Sequence, residues 1–252
     1  GSDSVHGPAL LPLLVNIFNI MLEDRMAIHV SLLQFADALF PIGGYAHSFG
    51  LEYFVESGQV KDPDGVREVL TAYLHGRAGP CDAVAVVIAG RLAHQRDLDG
   101  CLALDHDLDA MNHVTESRGA SRQMGHQTAR VASALTEDPF LNDYLAAVES
   151  GETPGHHPVA FGISGGIIGW DPEQAASAFL FSTASQIVGA ASRLMPLGQL
   201  DAQKVLWAVG PLIASLAHEA LGKESQDIWS FSPGLEVAGM RHARLEQRLF
   251  RS

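Results

Sequence analysis

Residues Cys81 to Ala89 read CDAVAVVIA, and after Asp82 the stretch has no polar face. A run of this kind is a buried helix or a buried strand, and its valines keep the strand possible. What surrounds it favours the helix. Val66, Val69, Leu70, Tyr73 and Leu74 fall at i, i+3, i+4, i+7 and i+8, one apolar helix face. Asp62-Pro63, Asp138-Pro139, Asp171-Pro172 and Ser232-Pro233 each offer an N-cap oxygen followed by proline at the first helical position. Glu173 to Leu194 reads as a long helix stopped by Pro196. Leu200 to Leu221 reads as another, kinked at Pro211 and ended by Gly222. No Asn-Gly hairpin and no sustained alternation of period two occurs. The expectation is an all-α, single-domain bundle of roughly eight to ten helices.

Composition narrows the function. The 252 residues are 47% hydrophobic and 18% charged, which excludes wholesale disorder. Lys and Arg number 16 against 29 Asp and Glu, a net charge of −13 that argues against nucleic acid and anionic membrane as partners. Two cysteines, Cys81 and Cys101, fit a reducing compartment and a soluble cytoplasmic protein. Cys81 follows a Gly-Pro pair, read as a turn at a helix N-terminus where a thiolate would be favoured. The apolar run from Ala9 to Leu22 lacks a preceding basic stretch and is too short to span a bilayer. It reads as a leading arm or a first helix.

Three catalytic or ligand patterns can be weighed. Gly162, Gly165, Gly166 and Gly169 crowd FGISGGIIG, but no Lys follows to make a phosphate loop. Two i, i+4 glycine pairs point instead to close helix packing. Asp97, Asp99, Asp105, His106, Asp107, Asp109 and His113 form an acidic cluster without EF-hand or HExxH spacing. A solvated acidic face is the plain reading, and a metal-dependent hydrolase is the rival. Ser164 does not sit in a nucleophile elbow. No catalytic residue, metal ligand or cofactor is assigned.

Two stretches stand out as binding equipment. In Ser31 to Gly58, a Gly43-Gly44 hinge presents Tyr45, His47, Ser48 and Phe49 between two helices, with Glu52 just beyond. In the chain end, Arg241, Arg244, Arg248 and Arg251 fall at i, i+3, i+7 and i+10, so a helix would align them in one stripe. Residues 241–252 carry +3 against −16 for the rest. Such a segment either docks on its own body or waits for a partner. Val131 to Ser192 holds seven acids and no Lys or Arg, a face for a basic partner. Phe179 and Phe181 are the candidate dimer contacts.

Taken together, LLQFADALFPIGGYAHSFGLE (Leu32 to Glu52), the segment His157 to Leu206 with VAFGISGGIIG and SRLMPLGQLDAQKVL, and the closing SPGLEVAGMRHARLEQRLFRS resemble the urease accessory protein F family. Phe35 stands where the family carries Leu, and Phe49 where it carries the second Gly of HSGGLE. The resemblance implies a helical, non-enzymatic, homodimeric scaffold. Such a scaffold binds the accessory protein D/H on apo-urease and recruits the nickel-carrying GTPase G, whose activity some members are proposed to modulate. Nickel is then handled by the assembly. By the same resemblance Tyr45, His47, Ser48, Phe49 and Glu52 form a partner-binding loop, and Arg241, His242, Leu245, Arg248 and Leu249 a tail that binds D/H. Arg118, Arg122 and Arg130 are candidates for GTPase stimulation. The expected organisation is an arm over residues 1–30, a helical domain over 31–239 and a binding tail over 240–252. A generic helical adaptor is the further alternative.

Overall fold

The computed structural model describes residues 26–243, 245 and 248–251; the Ala9 to Leu22 run and Arg244 lie outside them. Local chemistry starts the helices largely as expected. Asp62 accepts from the Gly65 N–H at 2.9 Å and opens α3, Pro63–Tyr73. Asp97 accepts from Gly100 N–H and opens α5, Leu98–Met111. Asp138 opens α7, Pro139–Ser150, and Asp171 opens α9, Pro172–Leu194. Ser232 departs from the pattern: α11, Pro233–His242, begins at its proline without a hydroxyl cap. The remaining helices are α1 over residues 26–36, α2 (Leu51–Glu56), α4 (Val84–His94), α6 (Thr115–Thr136), α8 (His157–Ile168) and α10 (Gln199–Ala220). Among the described residues there is no strand, so the fold is all-α and the valine-rich run is helical.

The Gly79-Pro80 pair does not make a turn. Residues Leu74–Ala83 wind as a π-helix joining α3 directly to α4, with Pro80 inside it. The wider winding accommodates a residue that lacks an N–H and would clash with the preceding turn of an α-helix. Carbonyls here find partners elsewhere: Gly76 C=O accepts from Phe231 N–H at 2.8 Å, and Pro80 C=O from Trp229 N–H at 3.3 Å. The segment leading into α11 is thereby fastened to the helix it crosses.

The centre of the molecule is the crossing of α4 and α8. Val84 to Ala89 and His157 to Gly165 are buried on all sides, the signature of a helix inside the core. A Cβ on Gly162 would overlap the Val86 carbonyl, and one on Gly166 would overlap the Gly90 carbonyl. The glycine pairs therefore bring two backbones into contact, as their spacing implies. α6 and α9 pack around this crossing, and α10 lies along α9. Aromatic rings close the other side of α8: Phe161 lies 5.0 Å from Trp170 and 5.4 Å from Phe179, and Trp170 lies 5.1 Å from Phe35 of α1. Trp170 also donates to the Ser31 hydroxyl at 2.8 Å. α1 thus runs across the boundary expected between the arm (1–30) and the helical domain (31–239), and is fixed to the body by Ser31 and Phe35.

Gly162→Ala is expected to lower the unfolding free energy by about 1–3 kcal/mol through overpacking. Gly189→Ala, at an α9 position with open space around it, should raise it by roughly 0.5–1 kcal/mol. Urea denaturation of the two variants checks both signs.

Candidate functional site

The first motif is shaped by three left-handed residues. Gly43 has φ 78°, and Phe49 and Gly50 follow at φ 53° and 84°, just before α2. A non-glycine residue in that region costs on the order of 1–3 kcal/mol. The position where the related pattern carries glycine is thus one whose backbone favours it. Phe49 recovers part of that cost by packing edge-on to Tyr73 at 5.6 Å. Between these residues, Gly44–Ala46 form a single 3-10 turn, set against Gln186 of α9 so closely that a Cβ on Gly44 would displace the Gln186 carboxamide. The resulting turn sends the motif's side chains in opposite directions. Tyr45 is 72% exposed, whereas His47, Ser48 and Glu52 are buried. Burial, and then the charge of Arg251, hold His47 below the usual imidazole range.

The chain end comes back onto this motif. α11 stops at His242, so the expected helical stripe through Arg251 does not form. The physical reason is competition for donors. Leu249 N–H and Phe250 N–H donate to Glu52 at 2.6 and 3.2 Å, and Arg251 N–H donates to the Ala46 carbonyl at 2.9 Å. A helix would have used those groups internally. His242, fully buried, lies between two carboxylates, with Nε2 2.6 Å from Glu52 and Nδ1 2.9 Å from Glu116. Arg248 donates to the other oxygen of Glu116 at 2.8 Å, and Arg241 donates to the Tyr53 hydroxyl at 2.6 Å. Phe250 is buried, with the Arg193 guanidinium 4.3 Å from its ring centre; burial there holds Arg193 below its usual range. Leu249 is exposed, and Leu245 half-buried. Glu116, Tyr53 and Arg193 carry no local signal in the sequence. They enter only because the fold brings α6, α2 and α9 together at the tail.

The acidic cluster of α5 is put to other uses. Asp105 is fully buried, not solvated: it accepts from Thr153 Oγ1, Gly155 N–H and His156 N–H at 2.7, 2.6 and 2.8 Å, and so pins the turn before α8. Asp109 accepts from Arg122 and lies 2.9 Å from His156 Nε2. Burial alone would raise the Asp109 carboxyl, but those two partners hold it below the carboxylate range. His106 faces the Glu152 carbonyl at 2.9 Å. Among the described residues, no three His, Cys, Asp or Glu side chains are grouped to hold a metal ion. The metal-dependent hydrolase reading therefore has no converging ligand set in this cluster.

Cys81 is also reassigned. It lies inside the continuous helix rather than at an N-terminus, is fully buried, and burial pushes its thiol up to about 12. Phe179, expected at a dimer face, is inside the protomer against His157 and Phe161, while Phe181 is half exposed. The two point to different sides of α9. A cavity of about 90 Å³ lies beneath α11, lined by Tyr73, Arg77, Asp82, His157, Thr183 and Gln186. Within it Arg77 and Asp82 pair at 3.3 Å, and burial raises the Asp82 carboxyl despite that cation.

Fold and junction define a class: an all-helical, single-domain protein whose chain end is folded back on its first motif. Comparison with known proteins makes the assignment specific. The UreF family profile matches residues 60–210. Urease accessory protein UreF of Bacillus sp. (strain TB-90) is 30% identical over 223 residues, 88% of this chain and 98% of that protein. The namesake from Trichodesmium erythraeum (strain IMS101) is 30% identical over 230 residues, 91% and 99% of the two chains. UreF 2 of Brucella canis is 30% identical over 220 residues, 87% and 90%. The chain belongs to the UreF family of urease accessory proteins. Among the described residues, no helix is long and apolar enough to cross a membrane.

Two outcomes follow from the buried groups. Cys81 and Cys101, both with thiols pushed up to about 12, should resist iodoacetamide at pH 8 in the native protein and react after denaturation, as read by mass spectrometry. Burial holds His157 down to about 4, against 6.5 when exposed. The neutral ring is favoured in the fold, so its contribution is complete above pH 6.5 and is lost as pH falls toward 4. That loss is on the order of 3 kcal/mol. His157→Leu should flatten this part of the stability–pH curve.

Proposed function

We propose that this chain is a scaffold in urease maturation, joining the urease-bound accessory protein D/H to the nickel-carrying GTPase G. In this reading it is homodimeric and cytoplasmic, and it is not itself an enzyme. Nickel is cargo of the assembly, and this chain needs no cofactor of its own. The observation that carries the reading is membership of the UreF family, over nearly the full length of the relatives. The chain end supports it. Met240 and Leu249 are exposed apolar side chains beside Arg241 and Arg248, a combination suited to an apolar partner with carboxylates at its edge. The net charge of −13 points the same way in disfavouring nucleic acid.

The loop residues Tyr45, His47, Ser48, Phe49 and Glu52 and the tail residues Arg241, His242, Leu245, Arg248 and Leu249 are assigned to partner binding, and Phe181 to the dimer contact. Of the arginines considered for modulating the GTPase, Arg122 is engaged by Asp109, which favours Arg118 and the exposed Arg130 of α6.

Deleting residues 243–252 keeps His242 and should abolish capture of D/H in a pull-down, with the helical circular dichroism signal retained. Undiminished capture by the truncated chain would remove the tail from the binding site. Capture should also weaken as salt rises, because Arg241, Arg248 and Arg251 are at the surface.

A further inference from the structure

The winding of Leu74–Ala83 brings together two charges that an α-helix would hold apart. Arg77 and Asp82 stand at i and i+5. In an α-helix such residues diverge by about 140° around the axis, whereas a π-helix bonds i to i+5 and stacks them on one side. Both side chains line the cavity of about 90 Å³ beneath α11, with Arg77 Nε 3.3 Å from Asp82 Oδ1. Burial alone would lower the Arg77 guanidinium, but Asp82 beside it pushes it up. Among the described residues the guanidinium meets no other acceptor, so its remaining N–H donors are left to the cavity. Thr183 of α9, also in the lining, gives its hydroxyl proton to the Phe179 carbonyl at 3.0 Å and keeps lone pairs to offer. Short π-helical windings occur frequently at functional sites.

We infer that this cavity is a binding site for a small neutral amide, a class that includes urea, whose carbonyl accepts from Arg77 and whose N–H groups donate to Asp82 and Thr183. Charge selects the class. Arg77 and Asp82 compensate one another, so an anion would face Asp82 and a cation would face Arg77. A buried charge without compensation is costly. Glu236 also lines the cavity and adds a second carboxylate against an anion. A neutral molecule with an acceptor at one end and donors at the other satisfies both sides. Size narrows the choice further. The volume is on the order of three waters, which admits a molecule of roughly four non-hydrogen atoms. None of the described tail residues from Arg241 onward lines the cavity, and the site stands independently of the partners proposed above.

The experiment is an NMR titration of the full nitrogen-15-labelled chain with urea and, separately, with acetamide, both at millimolar concentrations far below those that unfold proteins. The Arg77 Nε–H signal and the amides of residues 77–83 should shift along a saturable curve. Sodium acetate and ammonium chloride should give no such curve. Thr183→Val keeps the shape and removes the hydroxyl, and should weaken binding about five-fold. Thr183→Leu fills the cavity and should abolish binding; if it fails to fold, Thr183→Val still decides. Shifts that stay linear in both probes would mean that water alone occupies the cavity, and would overturn the inference. Acetate ion that saturates as tightly as acetamide would overturn it too. So would saturable binding that neither Thr183 variant changes, because the ligand would then lie elsewhere. Saturation by only one of the two probes upholds the site and tells urea from a simple amide.

Discussion

Two helices in this protein pass one another at backbone contact, and the rest of the structure is arranged around that constraint. Gly162 and Gly166 of α8 lie on the carbonyls of Val86 and Gly90 of α4. Contact this close leaves no room for side chains between the axes, so both helices bury their remaining faces against others. α6 and α9 supply those faces, and α10 covers α9. Because α8 is enclosed, what begins it must be satisfied internally. Asp105 does this by collecting two backbone N–H groups and a hydroxyl at the turn before His157. The interior placement also explains why His157 stays neutral and why Phe179 is unavailable to a second protomer.

A second polar centre lies at the junction of α2, α6 and α11. Two glutamates, a histidine and an arginine are gathered with two backbone amides. Buried charges are stable only when each lone pair and proton has a partner, and removing one member leaves the others unpaired. The junction therefore specifies a conformation more than it adds stability. It selects the path of residues 248–251 from the many an arginine-rich segment can take. The −13 of the whole chain conceals this arrangement: a tail of opposite sign is bound to its own acidic body through named carboxylates.

Much of the fold was legible wherever the determining chemistry is local. Asp-Pro pairs announce α3, α7 and α9 because a carboxylate and a missing N–H act within one turn. Glycines four apart announce the α4–α8 contact for the same reason. CDAVAVVIA was ambiguous by composition, and became a helix because Leu74–Ala83 continue into it without a break. Gly79-Pro80 misleads as a turn since a π-helical winding has no distinct sequence pattern. The arginine spacing of the tail is a true helical period, yet acceptors on Glu52 and Ala46 outcompete the helix. Nothing near Glu52 signals burial; it reads as an ordinary first-turn acid beside a flexible motif. Phe179 and Phe181 are two residues apart on one helix, and only the packing decides which is inside. Of the residues named from resemblance, the fold brings Glu52 against His242 and Leu249, while Glu116, Tyr53 and Arg193 became visible only in three dimensions.

The proposed function puts partner binding on the first motif and the chain end, carried by a helical body built on the α4–α8 crossing. Hydrogen exchange of the chain alone and in complex with D/H tests this directly. The account predicts that added protection is confined to residues 43–53 and 240–251, with α4 and α8 exchanging at the same rates in both states. Protection that appears at only one of the two segments, or that spreads through α4 and α8, would contradict it.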